Sequence, residues 1–446
     1  MLRVNSKEVM QGDTFLALSG IDDDGHNHIE EAIDKGASCV IVQEGEYSVK
    51  TITTKDTRSY LARYLSELYA EKIKKISLIG VLGTRGKTTT AYLIYNLLNS
   101  LNKKCAYIGS KGFYIDEKVK NLNNITPDLY ELYELINSAA SAGCEYLVLE
   151  VTNHSLVQRR LDGLNFKYAV LTNIGKDSYK ADLEDYINVE LKLFESLKRS
   201  DYAIINGDDK YYDKFLNIKS NIILYGKKGT DYKISSVKLL ENHSTFNLSV
   251  SGNKYEIDLP FPCDYNIYNY VCAFIIANKI GIKPEDIVLS TSYLNLPKDI
   301  YQVFEKDGKK VIVDNASLPS EVKNVINYAK KYAKGKILTV IGTKGTTDKE
   351  FRKLLGKTVL NGSDYVIFTN DNPYKEDFMD IINDMITSDN YEVVLDRKEA
   401  IKKGISLMES NDTLLVLGRG EDETQIIGSD NFPVNDINEV SKYMKK

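Results

Sequence analysis

Residues 83–88, Gly-Thr-Arg-Gly-Lys-Thr, have the types and spacing needed to hold the phosphates of a nucleotide. They follow the apolar segment 76–82, which is typical of a buried strand, and apolar residues recur after them at helical spacing. Glycines let the backbone approach an anion closely, and the N–H groups at a helix start carry partial positive charge. Lys87 would reach phosphate oxygens, and Thr88 would offer a hydroxyl to Mg²⁺. The segment therefore predicts a nucleotide site; the alternative is a plain connector between a strand and a helix.

This turn is a variant of the P-loop, because Val81 stands where the strict spacing has its first glycine. The variant keeps the pattern Gly-Thr-x-Gly-Lys-Thr. The residues predicted to contact the nucleotide are Gly83, Thr84, Gly86, Lys87, Thr88 and Thr89.

Apolar strands alternate with helical segments along most of the chain, as in parallel sheets with helices on both faces. The predicted fold class is α/β with three domains, which also suits the length of 446 residues. Residues 1–72 would form a small N-terminal α/β domain. Residues 73–296 would form a central ATP-binding domain with a P-loop-type parallel sheet, and residues 297–446 a Rossmann-like C-terminal domain. The period-two alternation of residues 222–260 predicts antiparallel hairpins within the central domain.

Polar side chains stand where several of the predicted strands end. They include Glu150, Asp209, Asp314 and Asp371. Open α/β sheets bind ligands at the carboxyl ends of their strands. The recurrence therefore predicts binding sites at these ends, although the alternative for any single cluster is a simple turn.

Composition limits the classes of function. The net charge is −5, which argues against a nucleic-acid partner or an anionic membrane surface. No apolar run approaches the length of a membrane span, so the cytoplasm is the expected compartment. The 5 cysteines are scattered without a Cys-x-x-Cys pair, which makes a zinc site or a disulfide framework improbable.

An ordered series of short motifs runs along nearly the whole chain. It begins with residues 5–7 and 12–20, continues through 83–88, 124–128, 150–154, 159–163 and 206–209, and ends with 266–269, 371–374 and 418–422. In this series the chain resembles the Mur ligase family, and within it the MurE type. These are ATP-dependent enzymes of peptidoglycan biosynthesis that join an amino acid to the peptide of a cell-wall precursor. The resemblance implies three α/β domains, of which the first is similar to a UDP-binding domain.

The resemblance also implies a ligase reaction in two steps. A substrate carboxylate attacks the γ-phosphate of ATP, and the amine of an amino acid then displaces phosphate from the acyl phosphate. Such catalysis depends on positioning and on neutralisation of charge by cations. By motif match, Lys87 would hold the β and γ phosphates, and Thr88 and Glu150 would hold Mg²⁺. The alternative for Glu150 is an ordinary acid at a strand end.

Further binding roles follow from the same match. Asn269 and Asp314 would hold the adenosine part of ATP. The predicted contacts to the acceptor are Thr126, Thr152, Asn153, His154 and Arg160, and the alternative for His154 is packing beneath the loop. The partners implied are a small-molecule carboxylate acceptor and an amino acid, and the chain is expected to be a monomer or a weak oligomer.

Glu190 interrupts the apolar face of a helix predicted over residues 182–198. A carboxylate on such a face is costly unless something cationic pairs with it. The family pattern has a lysine at this point, which CO₂ carbamylates so that it presents a carboxylate to the second Mg²⁺. We predict that Glu190 replaces the carbamate as a metal ligand and acts with Lys87 and Glu150 in catalysis without CO₂. The alternative is a glutamate paired with a nearby lysine.

The predicted amino-acid site departs from the family pattern. In the turn 371–374 the family marks diaminopimelate with an arginine, which pairs bidentately with a carboxylate, whereas this chain has Tyr374. The expectation is therefore that diaminopimelate is not the preferred substrate. The predicted contacts to the amino acid are Asp371, Asn372, Tyr374 and Asp422, and the acidic pair Glu421 and Asp422 would suit a side chain that bears an amine.

Three functions remain open at this point. The first is a MurE-type ligase that acts on a UDP-linked muramoyl dipeptide. The second is the same chemistry on a smaller carboxylate without UDP, which the altered turns and the start of the chain close to residues 5–7 favour. The third is a nucleotide-binding paralogue without turnover. It is suggested by Ser178 and Ser317, where the family has histidine, and by Asp299, where it has arginine.

Overall fold

A computed structural model describes residues 1–20, 23–175, 182–298, 300–420 and 422–445 of the chain. The chain forms two compact units, Met1–Asn295 and Leu296–Lys446. Both units combine sheets with helices, which confirms the predicted α/β class. The predicted boundaries after residues 72 and 296 stay predictions.

The first unit begins with a parallel sheet of the order β1-β2-β3-β4. Its strands are β1 (Leu2–Arg3), β2 (Thr14–Leu16), β3 (Cys39–Val42) and β4 (Lys50–Thr53), and its helices are α1 (Ile29–Asp34), α2 (Thr57–Leu68) and α3 (Ala70–Ile73). Phe15, Val40 and Val42 pack against Ile29 and Ala32 in a small core. Asp56 begins α2, because its side chain accepts a hydrogen bond from the backbone N–H of Ser59.

A larger sheet in the same unit has the order β15-β14-β13-β12-β11-β10-β5-β9-β6-β7-β8 in the described residues. The strands are β5 (Ser77–Leu82), β6 (Cys105–Gly109), β7 (Gly112–Ile115), β8 (Glu117–Lys120), β9 (Tyr146–Glu150), β10 (Phe166–Leu171), β11 (Tyr202–Asn206), β12 (Asn221–Gly226), β13 (Tyr232–Leu239), β14 (Ser244–Val250) and β15 (Asn253–Leu259). The six strands from β12 to β6 are parallel. The carboxyl ends of β5, β9 and β10 therefore meet at one edge.

The prediction of antiparallel hairpins over residues 222–260 is correct for β13, β14 and β15. It is wrong for β12, which pairs parallel with β11 and with β13. The difference has a physical reason, because β12 continues the buried parallel core, where a strand need not alternate between apolar and polar residues.

The helices of the larger sheet are α4 (Lys87–Ser100), α5 (Leu129–Ser141), α6 (Asn153–Val157), α7 (Leu183–Glu195), α8 (Asp264–Lys279) and α9 (Pro284–Ser290). Helices α4 and α8 pack on each other. Almost every residue in the middle of α8 is buried, from Asn266 to Ala277. This packing brings Asn269 to the first turn of α4, where Asn269 Oδ1 accepts a hydrogen bond from Thr90.

The second unit has a sheet of the order β16-β17-β21-β18-β19-β20, parallel except for the edge strand β16. Its strands are β16 (Gln302–Lys306), β17 (Lys309–Asp314), β18 (Ile337–Ile341), β19 (Tyr365–Phe368), β20 (Tyr391–Val393) and β21 (Thr413–Leu417), and the hairpin β22 (Thr424–Ile427) and β23 (Asp430–Pro433) follows. The helices are α10 (Pro319–Tyr332), α11 (Lys349–Gly362), α12 (Phe378–Met385), α13 (Arg397–Leu407) and α14 (Asp436–Met444).

Two further observations bear on the predictions from composition. All 5 cysteines are buried, and none of them forms a disulfide bond. Among the helices that the structure describes, none combines the length and the apolar character needed to cross a membrane.

Candidate active site

The predicted phosphate loop connects β5 to α4, and its two glycines take backbone conformations that other residues rarely adopt. Gly83 has φ +128° and Gly86 has φ +76°. A Cβ atom on Gly83 would lie 2.2 Å from Thr172 Oγ1, and one on Gly86 would lie 2.6 Å from Asn269 Oδ1. The loop is therefore folded tightly against the end of β10 and against α8, and no side chain could be added at either glycine without a shift.

Hydrogen bonds from the residues after β10 fix the loop. The backbone N–H of Thr84 donates to Asn173 O at 2.8 Å, and that of Arg85 donates to Asn173 Oδ1 at 3.1 Å. Thr172 Oγ1 donates to Arg85 O at 2.6 Å. Thr172 and Asn173, which follow β10, thus hold the loop in place.

Lys87 is the first residue of α4, so its side chain starts at the positive end of the helix. Its Nζ donates to Gly83 O at 2.7 Å and to Thr84 O at 3.2 Å, which folds the ammonium back over the loop. An ammonium has three donors, and these two contacts leave one for an incoming anion. Thr89 is buried in the first turn of the same helix, so a contact between its side chain and the nucleotide stays a prediction.

Glu150 is the last residue of β9, and its carboxylate faces the first turn of α4. Thr88 Oγ1 donates to Glu150 Oε2 at 2.8 Å. Glu150 Oε1 accepts from the Tyr107 hydroxyl and from the backbone N–H and the hydroxyl of Ser110, both at 3.0 Å. The carboxylate is 1% exposed, and these donors provide the hydrogen bonds that a buried charge requires.

Glu190 lies on the buried face of α7, as the helical spacing predicted, and it is 1% exposed. Asn153 Nδ2 donates to Glu190 Oε1 at 3.3 Å, whereas Glu190 Oε2 is buried without a hydrogen-bond partner. Burial raises the pKa of Glu190 to about 7, while the charge of Lys87 acts in the opposite direction. The positive charge that acts on the Glu190 carboxylate is therefore that of Lys87, in the phosphate loop.

The side chains of Thr88, Glu150 and Glu190 have the chemistry that a magnesium ion requires. The buried Glu190 Oε2 lacks a partner, and a hard cation accepts carboxylate and hydroxyl oxygens as ligands. No group of three or more His, Cys, Asp or Glu side chains in the described part of the chain forms a complete metal cage.

The predicted acceptor residues gather beside Glu150 and Glu190. Thr126 Oγ1 donates to Glu150 O at 2.8 Å, and Arg160 Nη1 donates to Thr126 O at 2.6 Å. Thr152 caps α6, which begins with Asn153. The structure thus brings Thr126, Thr152, Asn153 and Arg160 together, and their role in binding the acceptor stays a prediction.

His154 and Asn269 are placed differently. The side chain of His154 is exposed, so packing beneath the loop, the alternative considered for it, is wrong. Asn269 is 6% exposed and is hydrogen-bonded to Thr90 and Asn266, so it supports the phosphate loop from behind. A contact between Asn269 and adenosine stays a prediction.

In the second unit, the carboxyl ends of β17, β19 and β21 carry the remaining predicted residues. Asp314 Oδ2 accepts from the Tyr301 N–H and Asp314 Oδ1 from the Ala316 N–H, both at 2.8 Å, so Asp314 shapes its own turn. Arg419 is fully buried and donates to Asp371 Oδ1 at 2.9 Å and to Asn372 Oδ1 at 3.2 Å. The charge of Asp371 is thereby neutralised within the protein.

Tyr374 has φ +54° and forms a single bridge to Ile427, which fixes the turn after β19 to the β22 strand. Asp422 is exposed, and its backbone N–H donates to Arg419 O at 3.1 Å. Glu421, Ser178 and Asp299 lie outside the described residues.

Sequence reasoning missed three residues that the structure places against the predicted ones: Tyr107, Ser110 and Arg419. Tyr107 and Ser110 flank the carboxyl end of β6, which neighbours β9. A polar residue after an apolar strand is a detectable signal for Ser110, as it was for Glu150. The orientation of the Tyr107 hydroxyl depends on packing, and no local pattern reports it.

Comparison with known proteins gives consistent matches along the chain. The Mur ligase family catalytic domain matches residues 1–83, the Mur ligase middle domain residues 81–277, and the Mur ligase glutamate ligase domain residues 301–420. The chain is 34% identical to a UDP-N-acetylmuramoyl-L-alanyl-D-glutamate–2,6-diaminopimelate ligase of Aquifex aeolicus (strain VF5), over 99% of this chain and 93% of that protein. A ligase of the same name from Clostridium perfringens (strain 13 / Type A) is 33% identical, over 96% and 91%.

Solved structures agree with these matches. A UDP-N-acetylmuramoyl-L-alanyl-D-glutamate–2,6-diaminopimelate ligase superposes with a TM-score of 0.71 at 28% identity, covering 99% of this chain and 93% of that one. The MurF ligase of Thermotoga maritima in complex with ADP has a TM-score of 0.67 at 21% identity, covering 99% and 96%, and shows the shared fold.

These relatives contradict the expectation that diaminopimelate is not preferred, because they are named as diaminopimelate ligases. The expectation was drawn from one side chain, Tyr374. A carboxylate can be bound by any cation or backbone N–H within reach, so the absence of one arginine does not decide specificity.

Proposed function

Because the chain belongs to the Mur ligase family, as its motifs predicted, and is an ATP-dependent amide-bond ligase, we propose that it catalyses the MurE-type reaction. In that reaction 2,6-diaminopimelate would be joined to UDP-N-acetylmuramoyl-L-alanyl-D-glutamate with cleavage of ATP to ADP and phosphate. The names of the relatives support both substrates.

One observation supports this proposal above the others. Lys87 and Thr88 begin α4, Glu150 ends β9, and Glu190 lies on α7, yet hydrogen bonds and charge link all four side chains around one glycine-rich turn. Such a group of one cation, one hydroxyl and two carboxylates is suited to a triphosphate with divalent ions. An ordinary connector between a strand and a helix does not require such a group of side chains.

In the first proposed step, an oxygen of the acceptor carboxylate attacks the γ-phosphorus of ATP. The bond from phosphorus to the bridging oxygen breaks, and ADP leaves. Lys87 balances the negative charge of the β and γ phosphates, while the N–H groups of the first turn of α4, which have no partner within the helix, would bind their oxygens. Thr126 and Arg160, which adjoin the end of β9, would orient the acceptor.

In the second proposed step, the amine of the amino acid attacks the acyl carbon and displaces inorganic phosphate. The oxygen that came from the acceptor carboxylate leaves with that phosphate, and the amine loses a proton as the amide forms. The protein forms no covalent bond to the substrate, so the residues act by positioning and by charge.

Mg²⁺ would be held by Thr88, Glu150 and Glu190. When bound, it would supply positive charge against the phosphate oxygens and so reduce the repulsion that an attacking carboxylate meets. Hydrogen bonds within the protein decide which carboxylate oxygens remain available to the ion. Glu190 Oε2 is one of these, because it is buried without a hydrogen-bond partner.

A panel of amines tests the proposed substrates. With ATP, Mg²⁺ and UDP-N-acetylmuramoyl-L-alanyl-D-glutamate, we expect kcat/KM for phosphate release to be at least about 10-fold higher with diaminopimelate than with lysine. One hydrogen-bonded charge contributes about 1.5–3 kcal/mol, and lysine lacks the distal carboxylate. The measurement is phosphate release coupled to identification of the product by mass.

The same assay separates the alternatives. A preference for lysine or a neutral amino acid would contradict the proposed amine. Turnover with small carboxylates but not with the UDP-linked dipeptide would contradict the proposed acceptor. Nucleotide binding without phosphate release under any combination would contradict the proposed reaction.

A further inference from the structure

The two oxygens of the Glu150 carboxylate have unequal surroundings. Oε1 accepts from the Tyr107 hydroxyl, the Ser110 N–H and the Ser110 hydroxyl. Oε2 accepts from Thr88 Oγ1 at 2.8 Å. A carboxylate oxygen has about two lone-pair sites, so Oε1 is fully used by protein donors while Oε2 retains capacity for another partner.

Tyr107 is held rigidly where it makes this contact. It lies in β6, is fully buried, and packs edge-on against Tyr92 and Tyr114, with ring centroids 6.1 Å and 5.6 Å away. The centroid of the Tyr95 ring lies 6.2 Å from that of Tyr107. Because rotation of the side chain would break these aromatic contacts, the hydroxyl has little freedom to leave Glu150.

Gly109 leaves the space that the contact needs. A Cβ atom at this position would lie 2.2 Å from Glu150 Oε1 and 2.5 Å from the Tyr107 hydroxyl oxygen. Any other residue at 109 would therefore push the carboxylate or the tyrosine out of place. Tyr107, Gly109 and Ser110 therefore enclose a single carboxylate oxygen, Glu150 Oε1.

We propose that Tyr107 is a positioning residue of the magnesium site, which turns the Glu150 carboxylate so that Oε2 faces Thr88 and the phosphate loop. The proposal rests on the proposed function, because it presumes that Glu150 and Thr88 serve a bound metal and nucleotide. With its proton donated to Glu150 Oε2 and Ser110 Oγ 2.9 Å away, the Thr88 oxygen still has a lone pair that a cation can accept. Tyr107 would act through Glu150 and would not touch substrate or metal itself.

The substitution Tyr107→Phe tests the proposal, because it removes one hydroxyl and keeps the ring in its aromatic cluster. The measurement is the affinity of the full chain for a non-hydrolysable ATP analogue by calorimetry, with saturating Mg²⁺ and with EDTA. The ratio of the affinity with Mg²⁺ to the affinity in EDTA is called the magnesium effect. We expect it to be about 10-fold smaller in the variant than in the wild type, as for other residues that orient metal ligands. Affinity in EDTA should change less than about 2-fold.

Tyr95→Phe is the matched control. Tyr95 belongs to the same aromatic cluster, and its hydroxyl donates to Asp116 O at 2.9 Å. In the described residues that hydroxyl makes no contact with Glu150. We expect this variant to lose comparable stability and to keep the magnesium effect, which separates a positioning role from a general loss of packing.

Ser110→Ala provides a second test that does not depend on a buried residue, because Ser110 is exposed. It should reduce the magnesium effect in the same direction, since Oε1 loses the hydroxyl bond and keeps the backbone one. An undiminished magnesium effect in both Tyr107→Phe and Ser110→Ala would overturn the positioning role of Tyr107 and would leave the proposed function untouched. Absence of any magnesium-dependent nucleotide binding in the wild type would instead overturn the proposed function.

Discussion

Lys87→Ala should reduce kcat for phosphate release about 10³-fold. An ammonium about 4 Å from a unit negative charge contributes about 4 kcal/mol at an effective dielectric constant of 20, which corresponds to nearly three orders of magnitude in rate. The charge on the γ-phosphate is redistributed as the acceptor attacks, so most of the loss should appear in kcat. Single-turnover phosphate release with saturating ATP measures it.

The control is Lys103→Ala, just beyond the end of the same helix. It removes an equal charge from the surface and should leave kcat within about 2-fold, because surface substitutions away from special features change stability by no more than about 0.5 kcal/mol. A kcat for Lys87→Ala within 10-fold of the wild type would contradict the assignment of Lys87 to the phosphates.

Glu190→Gln should reduce kcat about 10²-fold and raise the Mg²⁺ concentration for half-maximal activity at least about 10-fold. The substitution preserves the shape of the side chain and, with the amide oxygen facing Asn153, also the hydrogen bond from Asn153. It removes the negative charge and puts an NH₂ group in place of the unpartnered oxygen. Loss of one charged ligand or of its orientation typically weakens a metal site by 10-fold to 100-fold. Steady-state rates over a Mg²⁺ titration provide the measurement.

Glu195→Gln is the matched control, since Glu195 is an exposed glutamate on the same helix. The wild-type rate should also be the same in CO₂-free buffer and in bicarbonate, because a glutamate needs no carbamylation. An unchanged Mg²⁺ dependence in Glu190→Gln would contradict the metal role. A rate that rises with bicarbonate would contradict the idea that Glu190 takes the place of a carbamate.

The phosphate loop could be predicted from sequence because its chemistry is contiguous. Two glycines, one lysine and two threonines within residues 83–88 carry the conformations, the charge and the hydroxyls that the site needs. The burial of Glu190 could be predicted for a different reason. Glu190 breaks a helical repeat of apolar residues, and periodicity reports burial without reference to the rest of the fold.

Other parts of the site arise from tertiary packing and leave little trace in local sequence. Asn173 holds the loop because β10 lies next to β5, and Tyr107 reaches Glu150 because β6 lies next to β9. Arg419 neutralises Asp371 across 48 positions of the chain. The error about diaminopimelate has the same origin, since specificity depends on charges that the fold assembles and was inferred from Tyr374 alone.

The proposed reaction depends on activation of an acceptor carboxylate as an acyl phosphate at the loop around Lys87. The direct measurement uses UDP-N-acetylmuramoyl-L-alanyl-D-glutamate labelled with ¹⁸O in its carboxylates, together with ATP, Mg²⁺ and diaminopimelate. We expect each phosphate released to carry one ¹⁸O atom, detected by mass spectrometry. Phosphate released without the label would contradict it, because the oxygen would then have come from water.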